Sequence, residues 1–461
     1  MATVPSPTPG RGAWGSKLGF ILAASGSAIG LGNIWRFPYS AGEGGGGAFV
    51  LVYLLFVALI GVPVMLAELS VGRTTQKSPV GAFKALFPDS VWPWVGALGV
   101  ITGFGILAFY SVIAGWTVAY LGAAFTGGIA GLTDSEASGA YFTQLIGNGW
   151  EAAGLAALFL LVTALVVRGG ISGGIERATK ILMPILLVIL VLLAVRAMTL
   201  PGAGAGISYL FKPDFGAMTI TDVMGALGQA LFSLSLGMGA MITYGSYMPK
   251  DQDLPSSGII VAIFDTAIAI LAGLIIFPAL FAVGGDPSGG PGLVFVVLPT
   301  IFESLPAGGL FAIAFYLLLS IAALTSTISL LEVVVSYFVD EKEWSREKAT
   351  WVVTGACLLL AVPSALSFGA SEFLSTAIPL GDGSFLDFQN ILWGNFSLSI
   401  GALLICLFVG WKWGTKAAAA SLEENGDQIP AQALWEFLVK YVCPIAVGAI
   451  LVYVIVTGNF F

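Results

Sequence analysis

SGSAIGLGN (residues 25–33) and SLSLGMGA (residues 233–240) are two glycine-rich stretches inside strongly apolar segments of this chain. Both contain the pattern G-x-G, at residues 30–32 and 237–239. Two glycines so close together weaken a helix by roughly 1 kcal/mol each. Close packing of two intact helices also favours small residues, and this is the alternative for either stretch alone. Taken as a pair, the stretches predict two helices that break near their middle.

The composition predicts a membrane protein around these two segments. Of the 461 residues, 57% are hydrophobic and 10% are charged, whereas roughly 25% are charged in an ordinary soluble domain. A bilayer span needs about 20 apolar residues as a helix. Eleven segments meet this requirement: 17–38, 47–71, 92–126, 152–168, 175–198, 221–247, 257–284, 310–338, 349–367, 385–411 and 432–457. The predicted fold class is an all-α polytopic membrane protein with 11 transmembrane helices.

The two glycine-rich segments are the first and the sixth of these spans, so they enter the membrane from opposite sides. Such a pair is typical of a 5+5 inverted repeat, whose broken helices meet near the bilayer midplane. We expect one transmembrane domain over residues 1–461. It contains a tail (1–16), a first repeat (17–198), an inverted second repeat (221–411) and an additional helix (432–457).

The basic residues predict the orientation of the chain. When the N-terminus is placed inside, 15 of the 18 Lys and Arg residues fall on the cytoplasmic side, and Arg36, Arg196 and Lys212 fall outside. Cytoplasmic loops carry such an excess of positive charge. We therefore expect a multi-pass protein of the cell membrane whose N-terminus is cytoplasmic and whose C-terminus, after eleven spans, is outside.

The composition also excludes several kinds of chemistry. The chain contains no histidine, which removes Ser-His hydrolysis, histidine metal sites and histidine proton relays. Cys357, Cys406 and Cys443 are far apart in apolar stretches, and we interpret them as unreactive core residues. The net charge of -8 argues against a nucleic-acid partner. An enzyme is therefore the least favoured class of function.

Interrupted helices provide a binding site made of backbone groups. The N-terminal end of a half-helix carries partial positive charge and suits a carboxylate. The carbonyl groups at a C-terminal end suit a hard cation such as sodium. The two breaks therefore predict a site that binds a zwitterion together with sodium.

Five long motifs resemble the neurotransmitter:sodium symporter family, and the resemblance covers nearly the whole chain. They are LGFILAASGSAIGLGNIWRFP (18–38), GGGGAFVLVYLLFVALIGVPVMLAELSVGR (44–73), GGIERATKILMP (173–184), LGQALFSLSLGMGAMITYGSYMPKDQD (227–253) and AALTSTISLLE (322–332). The bacterial branch typified by the leucine transporter is the most similar. The resemblance implies a LeuT-type fold, a symporter embedded in the lipid bilayer, and sodium and an amino acid as its ligands.

The resemblance also implies two sodium sites. The first is formed by the carbonyls of Ala28 and Ser233, the side chain of Asn33, the substrate carboxylate and Asp265. The second is formed by the carbonyls of Gly26, Ile29 and Ala322 and by the hydroxyls of Thr325 and Ser326. Hydroxyls on a helix also bond to the preceding turn, which is the alternative for the last two residues.

Asp265 is an acid in an apolar segment, where ionisable residues are rare and usually functional. Protonation or a neighbouring group is the alternative way to neutralise it. Chloride-dependent members of the family use an anion here to balance the sodium charge, and a fixed carboxylate would supply that charge. We therefore expect chloride-independent transport, with Tyr53, Gln229 and Ser233 as the remnant of an anion pocket. A second acid, Glu68, is expected to accept hydrogen bonds from the backbone of the broken helices.

The implied substrate pocket is mostly apolar. Its residues are Ser27, Ala28, Leu31, Gly32, Ile106, Tyr110, Phe232, Ser233, Ser235, Met238, Ser326 and Leu330. Tyr110 is expected to bond the substrate carboxylate, and Phe232 is expected to cover the pocket. Monoamine transporters carry an aspartate at the position of Gly30, so its absence favours substrates that carry their own carboxylate. The pocket therefore predicts a neutral, hydrophobic or aromatic amino acid.

A gate is implied at each end of the site. At the outer end Arg36 is the gate arginine, but Asn390 occupies the position of its acidic partner. Asp387 lies one turn earlier on the same face and is the expected substitute. The inner gate consists of four residues: Arg11, Trp14, Tyr247 and Asp340. Solvated surface charges worth under about 1 kcal/mol are the alternative for both charged pairs. Glu332 has no predicted role.

The predicted function is sodium-coupled symport of an amino acid into the cell by alternating access. A sodium-coupled carrier for betaine or another osmolyte is one alternative, although it would need an aromatic cage for a quaternary ammonium. A sensor that binds an amino acid without transporting it would share all the residues above. A channel would need a continuous polar path, and no polar stripe runs through these segments. The oligomeric state is not predicted.

Overall fold

The computed structural model describes residues 11–288, 290–305, 307–376, 383–423 and 427–460. Within these ranges the secondary structure is helical, and the only strand-like pairing is an isolated bridge between Gly46 and Pro213. Most of the predicted tail, residues 1–10, lies outside the described residues. The all-α class predicted from the composition is confirmed.

Thirteen helices, which we label in chain order, form the bundle. They are α1 Lys17–Ala28, α2 Gly32–Glu43, α3 Gly47–Thr75, α4 Pro93–Thr126, α5 Gly149–Arg168, α6 Ile171–Met198, α7 Ile220–Ser233, α8 Ala240–Ser246, α9 Leu254–Ala282, α10 Gly308–Lys342, α11 Arg346–Leu366, α12 Phe385–Leu422 and α13 Gln432–Thr457. Shorter helices lie between them: Pro79–Leu86, Ser135–Gly147, Ala203–Phe211, Val297–Ser304 and Glu372–Thr376.

The number of spans is only partly fixed by these helices. In the described part of the chain nine helices are long and apolar enough to cross a membrane, and α1 with α2 forms a further span bent by 51°. A span is also predicted at 221–247, but α7 and α8 contain only 14 and 7 residues. Nine or ten apolar spans are therefore present, and the total of eleven remains a prediction.

The first break separates α1 from α2. Ile29 leaves the helical conformation, with a ψ of 105°. The φ angle of Gly30 is not in the left-handed region, so this glycine is not needed for its backbone conformation. A Cβ atom on Gly30 would lie 2.4 Å from the Ser326 hydroxyl and 2.8 Å from the Tyr110 hydroxyl. This glycine is therefore required because α4 and α10 approach the break so closely.

The second break separates α7 from α8, and here glycine is needed for its backbone. Gly237 and Gly239 have φ angles of 78° and 76°, in the left-handed region that side chains with a Cβ avoid. Gly237 is also crowded, because a Cβ atom on it would lie 2.1 Å from the Leu398 carbonyl oxygen. The same G-x-G pattern is thus needed for close packing of neighbouring helices in the first segment and for a left-handed backbone in the second.

The two breaks lie side by side at the centre of the bundle. The Ser235 hydroxyl donates to the Ser27 carbonyl across them, at 2.8 Å. The long helices α4 and α10 pack against each other, and α1 packs on α6, α9 and α10. This arrangement surrounds the breaks with helices on all sides, so polar groups there are shielded from lipid.

Replacement of Gly237 by alanine should prevent the second break from forming correctly. A residue with a Cβ costs about 1–2 kcal/mol in the left-handed region, and the contact with Leu398 adds to this cost. We expect Gly237→Ala to unfold at a clearly lower temperature in detergent. Gly355→Ala is the matched control, because α11 leaves open space around Gly355, and it should be neutral or slightly stabilising. Equal melting temperatures for the two variants would contradict this assignment.

Candidate functional site

A small pocket lies between the two breaks. Its cavity volume is about 20 Å³, and its lining consists of Ser27, Ala28, Gly30, Gly32, Ile106, Tyr110, Phe232, Ser233, Ser235, Met238, Ser326, Ser329 and Leu330. These are eleven of the twelve predicted pocket residues, with Gly30 and Ser329 added. Leu31 is placed differently, because it lines a neighbouring cavity on the Arg36 side. Ser329 lies three residues after Ser326 on one face of α10, and this spacing is the signal that the sequence offered.

Polar groups meet at one side of this pocket. The backbone N–H of Leu31, just before α2, donates to the Tyr110 hydroxyl at 2.9 Å. The N-terminus of α2 carries partial positive charge. The Tyr110 hydroxyl and the start of α2 therefore form a place for a negatively charged group. The opposite lining, which includes Ile106, Met238 and Leu330, is apolar.

Three serines connect the helices around the pocket. The Ser27 hydroxyl donates to the Ser329 hydroxyl at 2.8 Å, and the Ser326 hydroxyl donates to the Ser27 carbonyl at 3.2 Å. These bonds attach α1 to α10 at the level of the first break. Since all three side chains are buried, they satisfy backbone and hydroxyl groups that water does not reach.

Asp265 lies at the centre of a buried polar cluster. The Asn33 amide nitrogen donates to Asp265 Oδ1 at 2.7 Å, the Ser233 hydroxyl donates to both carboxylate oxygens at 2.8 Å, and the Tyr53 hydroxyl donates to Oδ2 at 3.2 Å. Each of these four residues is at most 1% exposed. All three donors are neutral, so their hydrogen bonds do not compensate the carboxylate charge, and a cation or a proton is needed to balance it.

The predicted first ion site and the predicted anion remnant overlap in this cluster. Asn33 and Asp265 belong to the first set, Tyr53 belongs to the second, and Ser233 belongs to both. Gln229 donates from its amide to the carbonyl of Gly32, the residue before Asn33, at 2.7 Å.

The C-terminal ends of α1 and α7 lie close to the carboxylate. Ala28 is the last residue of α1 and Ser233 is the last residue of α7, both line the pocket, and the Ser233 hydroxyl bonds to Asp265. The last carbonyls of a helix have no partner within it, and carbonyl oxygen atoms suit a hard cation.

The residues of the predicted second ion site also come together. The Thr325 hydroxyl lies 3.4 Å from the Ile29 carbonyl oxygen and 3.0 Å from the Ala322 carbonyl oxygen, and the Ser326 hydroxyl lies 3.5 Å from the Ile29 carbonyl. Gly26 faces the same place, since a Cβ atom on it would lie 3.2 Å from Thr325 Cβ. Oxygen atoms from α1 and α10 thus converge on the far side of the first break.

Glu68 supports the second break. Its Oε1 atom accepts the backbone N–H of Gly237 at 2.7 Å, and the residue is fully buried. A backbone N–H freed inside an apolar bundle would cost several kcal/mol without such a partner. The predicted role of Glu68 as an acceptor for the broken backbone agrees with this contact.

One end of the bundle is closed by the segment before α1. Arg11 forms an ion pair with Asp340 at 3.1 Å, and its guanidinium lies 4.8 Å from the centre of the Tyr247 ring. Trp14 is 2% exposed, and its indole N–H donates to the Tyr244 carbonyl at 2.9 Å. The four predicted inner-gate residues therefore form one buried group, unlike solvated surface charges.

The other end of the bundle carries Arg36. Its guanidinium lies 5.2 Å from the centre of the Phe232 ring, which also lines the pocket between the breaks. A cavity of about 160 Å³ lies above this ring, and Arg36, Asp387 and Asn390 all line it. The structure therefore brings the arginine, the expected substitute acid and the asparagine to the same cavity.

Glu332, which has no role predicted from the sequence, belongs to the Arg11 end. It is fully buried and accepts from Arg346 at 2.6 Å and from the Tyr247 hydroxyl at 2.5 Å. Tyr247 thus lies between two charged groups, Arg11 and Glu332. Only the apolar setting of Glu332 on α10 marked it in the sequence, because its partner is 14 residues away on the next helix.

The sequence profile of the Sodium:neurotransmitter symporter family matches residues 11–137 and 143–459. The uncharacterized sodium-dependent transporter YhdH of Bacillus subtilis is 39% identical, over 94% of this chain and 95% of its own. An uncharacterized sodium-dependent transporter of Haemophilus influenzae is 35% identical, over 96% and 98%. A similar solved structure is the crystal structure of MhsT in complex with L-phenylalanine, with a TM-score of 0.87 and 46% identity over 96% of this chain and 99% of that one.

Loss of the Arg346 side chain should destabilise the protein strongly, because it leaves the Glu332 carboxylate buried without its partner. We expect Arg346→Ala to cost about 3–5 kcal/mol of unfolding free energy, measured as a lower melting temperature in detergent. The double variant Arg346→Ala/Glu332→Gln should recover part of this loss.

Arg168→Ala is the control for this prediction. Arg168 pairs with Glu347 at 2.6 Å, but the two side chains are 48% and 60% exposed, so the loss should stay under about 1 kcal/mol. Equal effects of Arg346→Ala and Arg168→Ala would refute the structural importance of the buried pair.

Proposed function

This chain belongs to the Sodium:neurotransmitter symporter family, and from this membership we propose that it carries a neutral, hydrophobic or aromatic amino acid into the cell together with sodium. Its relatives are sodium-dependent transporters and not enzymes. The membership and the many apolar helices make it a multi-pass membrane transporter coupled to sodium. The substrate, the number of ions, the orientation and the chloride independence are our proposals.

The Asp265 cluster is the observation that supports this function most directly. A buried carboxylate that has only neutral donors needs a positive charge, and the carbonyl ends of α1 and α7 lie beside it. We place one sodium ion among Ala28, Asn33, Ser233 and Asp265, where its charge and that of Asp265 balance. A second sodium ion is placed among Gly26, Ile29, Ala322, Thr325 and Ser326.

The pocket supports an amino acid as the substrate. The carboxylate would bond to the Tyr110 hydroxyl and the start of α2, next to the first sodium ion. The side chain would lie against Ile106, Met238 and Leu330. At Gly30 the tight contacts leave no space for an aspartate that would pair with a ligand amine. The similar protein MhsT was crystallised with L-phenylalanine, which favours a large apolar side chain.

The cavity of about 20 Å³ is much smaller than such a side chain. Phe232, Met238 and Leu330 must therefore move when the substrate enters. Met238 is flexible and polarizable, which suits a pocket of adjustable shape. The position of Leu31, outside this pocket but bonded to Tyr110, fits a role in the entry path on the Arg36 side.

The alternating opening of the two ends would use the residues described above. We place the Arg11 end in the cytoplasm, since most basic residues cluster on that side, which gives a cytoplasmic N-terminus and, after eleven spans, an external C-terminus. Residues 1–461 then form one domain in the cell membrane, with repeats at 17–198 and 221–411 and an additional helix at 432–457. Arg36, with Asp387, would close the outer end.

The energy of two sodium ions suffices for accumulation. Each ion that enters down about 100 mV gains roughly 2.3 kcal/mol, and a tenfold sodium gradient adds about 1.4 kcal/mol. Two ions provide about 7 kcal/mol, which supports roughly a 10⁵-fold gradient of a neutral zwitterion.

Uptake by proteoliposomes tests the proposed function. We expect labelled phenylalanine, tryptophan or leucine to accumulate when sodium is high outside, and expect no accumulation without the sodium gradient. Betaine and a monoamine are the comparison substrates, and preferred uptake of either would overturn the substrate class. Binding without accumulation would identify a sensor, and uptake independent of sodium would refute the two ion sites.

Asp265 should make transport independent of chloride. Wild-type uptake should be unchanged when gluconate replaces chloride, and a collapse would contradict the proposal. Asp265→Asn should raise the sodium concentration for half-maximal uptake by about thirtyfold or more, since a buried charge partner is worth about 2 kcal/mol or more and about 1.4 kcal/mol is tenfold. Asp134→Asn, which alters an exposed aspartate at a helix start, is the control and should keep wild-type sodium dependence.

A further inference from the structure

Glu176 connects the start of α6 to the segment that leads into α1. Its Oε2 atom accepts the backbone N–H of Gly15 at 2.6 Å, and its Oε1 atom accepts the Ser16 hydroxyl at 2.9 Å. Lys180, one turn further along α6, donates to Oε1 at 2.6 Å. The residue is 3% exposed. A buried carboxylate on α6 is thus bonded to the two residues that precede α1 and to Lys180 of its own helix.

The two helices fit each other at this point. A Cβ atom on Gly19 of α1 would lie 2.1 Å from Glu176 Oε1, so only glycine admits the carboxylate. Ser16, which donates to Glu176, also accepts the Gly19 N–H at 3.0 Å and thereby caps α1. One carboxylate therefore bonds both to the residue that caps α1 and to the residue before it.

Three charged contacts hold this end of α1, each to a different helix. Arg11 pairs with Asp340 of α10, Lys17 pairs with Asp253 before α9, and Glu176 bonds from α6. The Lys17 pair is exposed, with side chains at 41% and 33%, so it contributes little. Hydrogen bonds to a buried charged group are stronger, which makes Glu176 the main polar attachment of α1 to α6.

We propose that Glu176 is a positioning residue of the inner gate, which keeps α1 against α6 while the pocket is closed to the Arg11 end. This inference rests on the proposed function, in which that end opens and closes. The segment before α1 covers Tyr244, whose ring lies 5.2 Å from that of Trp14. A path from the pocket to this end requires α1 to separate from helices it packs on, and Glu176 opposes its separation from α6.

The contact is suited to repeated opening. When α1 moves away, Glu176 loses Gly15 and Ser16 but keeps Lys180, because that lysine lies four residues along the same helix. A cavity of about 380 Å³, lined by Gly15, Glu176 and Lys180 among others, adjoins the carboxylate. After opening, the Glu176 carboxylate would therefore still pair with Lys180 and would adjoin this cavity. Opening would then avoid most of the free energy that a buried, unpaired charge requires.

The accessibility of a cysteine under the gate tests this role. The reporter is Tyr244→Cys in the full chain, with Cys357, Cys406 and Cys443 replaced by alanine, and the readout is the rate of labelling by a water-soluble thiol reagent in detergent. Glu176→Ala should raise this rate about tenfold or more, because it removes the bonds to both Gly15 and Ser16, and a single hydrogen bond to a charged group is worth a factor of about ten. Glu176→Gln, which keeps one acceptor, should give a smaller rise, and Glu176→Asp should restore part of the protection.

Asp253→Asn is the matched control, since it removes the exposed contact to the same turn of α1, and its rate should stay within about twofold of the reporter background. Unchanged labelling in both Glu176→Ala and Glu176→Gln would overturn the proposal. Equal rises for Glu176→Ala and Asp253→Asn would also overturn it, since general loosening of α1 would then explain the result.

Sodium separates the failure of this inference from the failure of the proposed function. Sodium should slow labelling in the reporter background, and Glu176→Gln should need several times more sodium for the same protection. A merely structural loss would lower the folded fraction without shifting this sodium dependence. If labelling rises in Glu176→Ala but does not depend on sodium in any variant, the proposed role of the Glu176 contact is retained and the sodium-coupled function is refuted.

Discussion

Backbone groups freed at two helix breaks have no water to bond in the interior of a membrane bundle, and this constraint organises the protein. Each freed group must have a partner in the protein or in a ligand. Glu68 accepts the Gly237 N–H, and Tyr110 accepts the Leu31 N–H. The last carbonyls of α1 and α7 have no partner within their own helices, and the ion site that we propose uses them.

Charge balance explains why the buried acids behave so differently. Glu332 has a permanent partner in Arg346, so it can stabilise one end of the bundle at all times. In the described part of the chain Asp265 has only neutral donors, and in the function that we propose a sodium ion balances its charge. Glu176 shares its carboxylate between α1 and Lys180 of its own helix. A buried carboxylate can thus be balanced in three ways. Glu332 has a fixed partner, Asp265 has the cation that we propose, and Glu176 shares its charge between two helices.

The two ends of the bundle are closed by different means. At the Arg11 end, an ion pair, an indole and the Glu176 contact bury the first turn of α1 together. At the Arg36 end, a guanidinium lies on the Phe232 ring below a cavity of about 160 Å³. The first closure needs several bonds to break together, whereas the second depends on an aromatic ring that also lines the pocket. In the function that we propose, substrate entry and the closure of the Arg36 end are therefore linked through Phe232, which lines both the pocket and the cavity.

The sequence by itself determined the class of protein and nine or ten of the apolar spans, and it predicted most of the residues that line the pocket between the breaks, because apolar length, paired glycines and long motifs are local properties of the chain. It did not distinguish the crowded Gly30 from the left-handed Gly237, since both show the same pattern. It also left Glu332 without a role and placed Leu31 in the pocket. Only the tertiary structure decided these points, because the packing of separate helices brings Arg346 to Glu332, Tyr110 to Leu31 and Gly15 to Glu176. No local pattern in the sequence records such contacts.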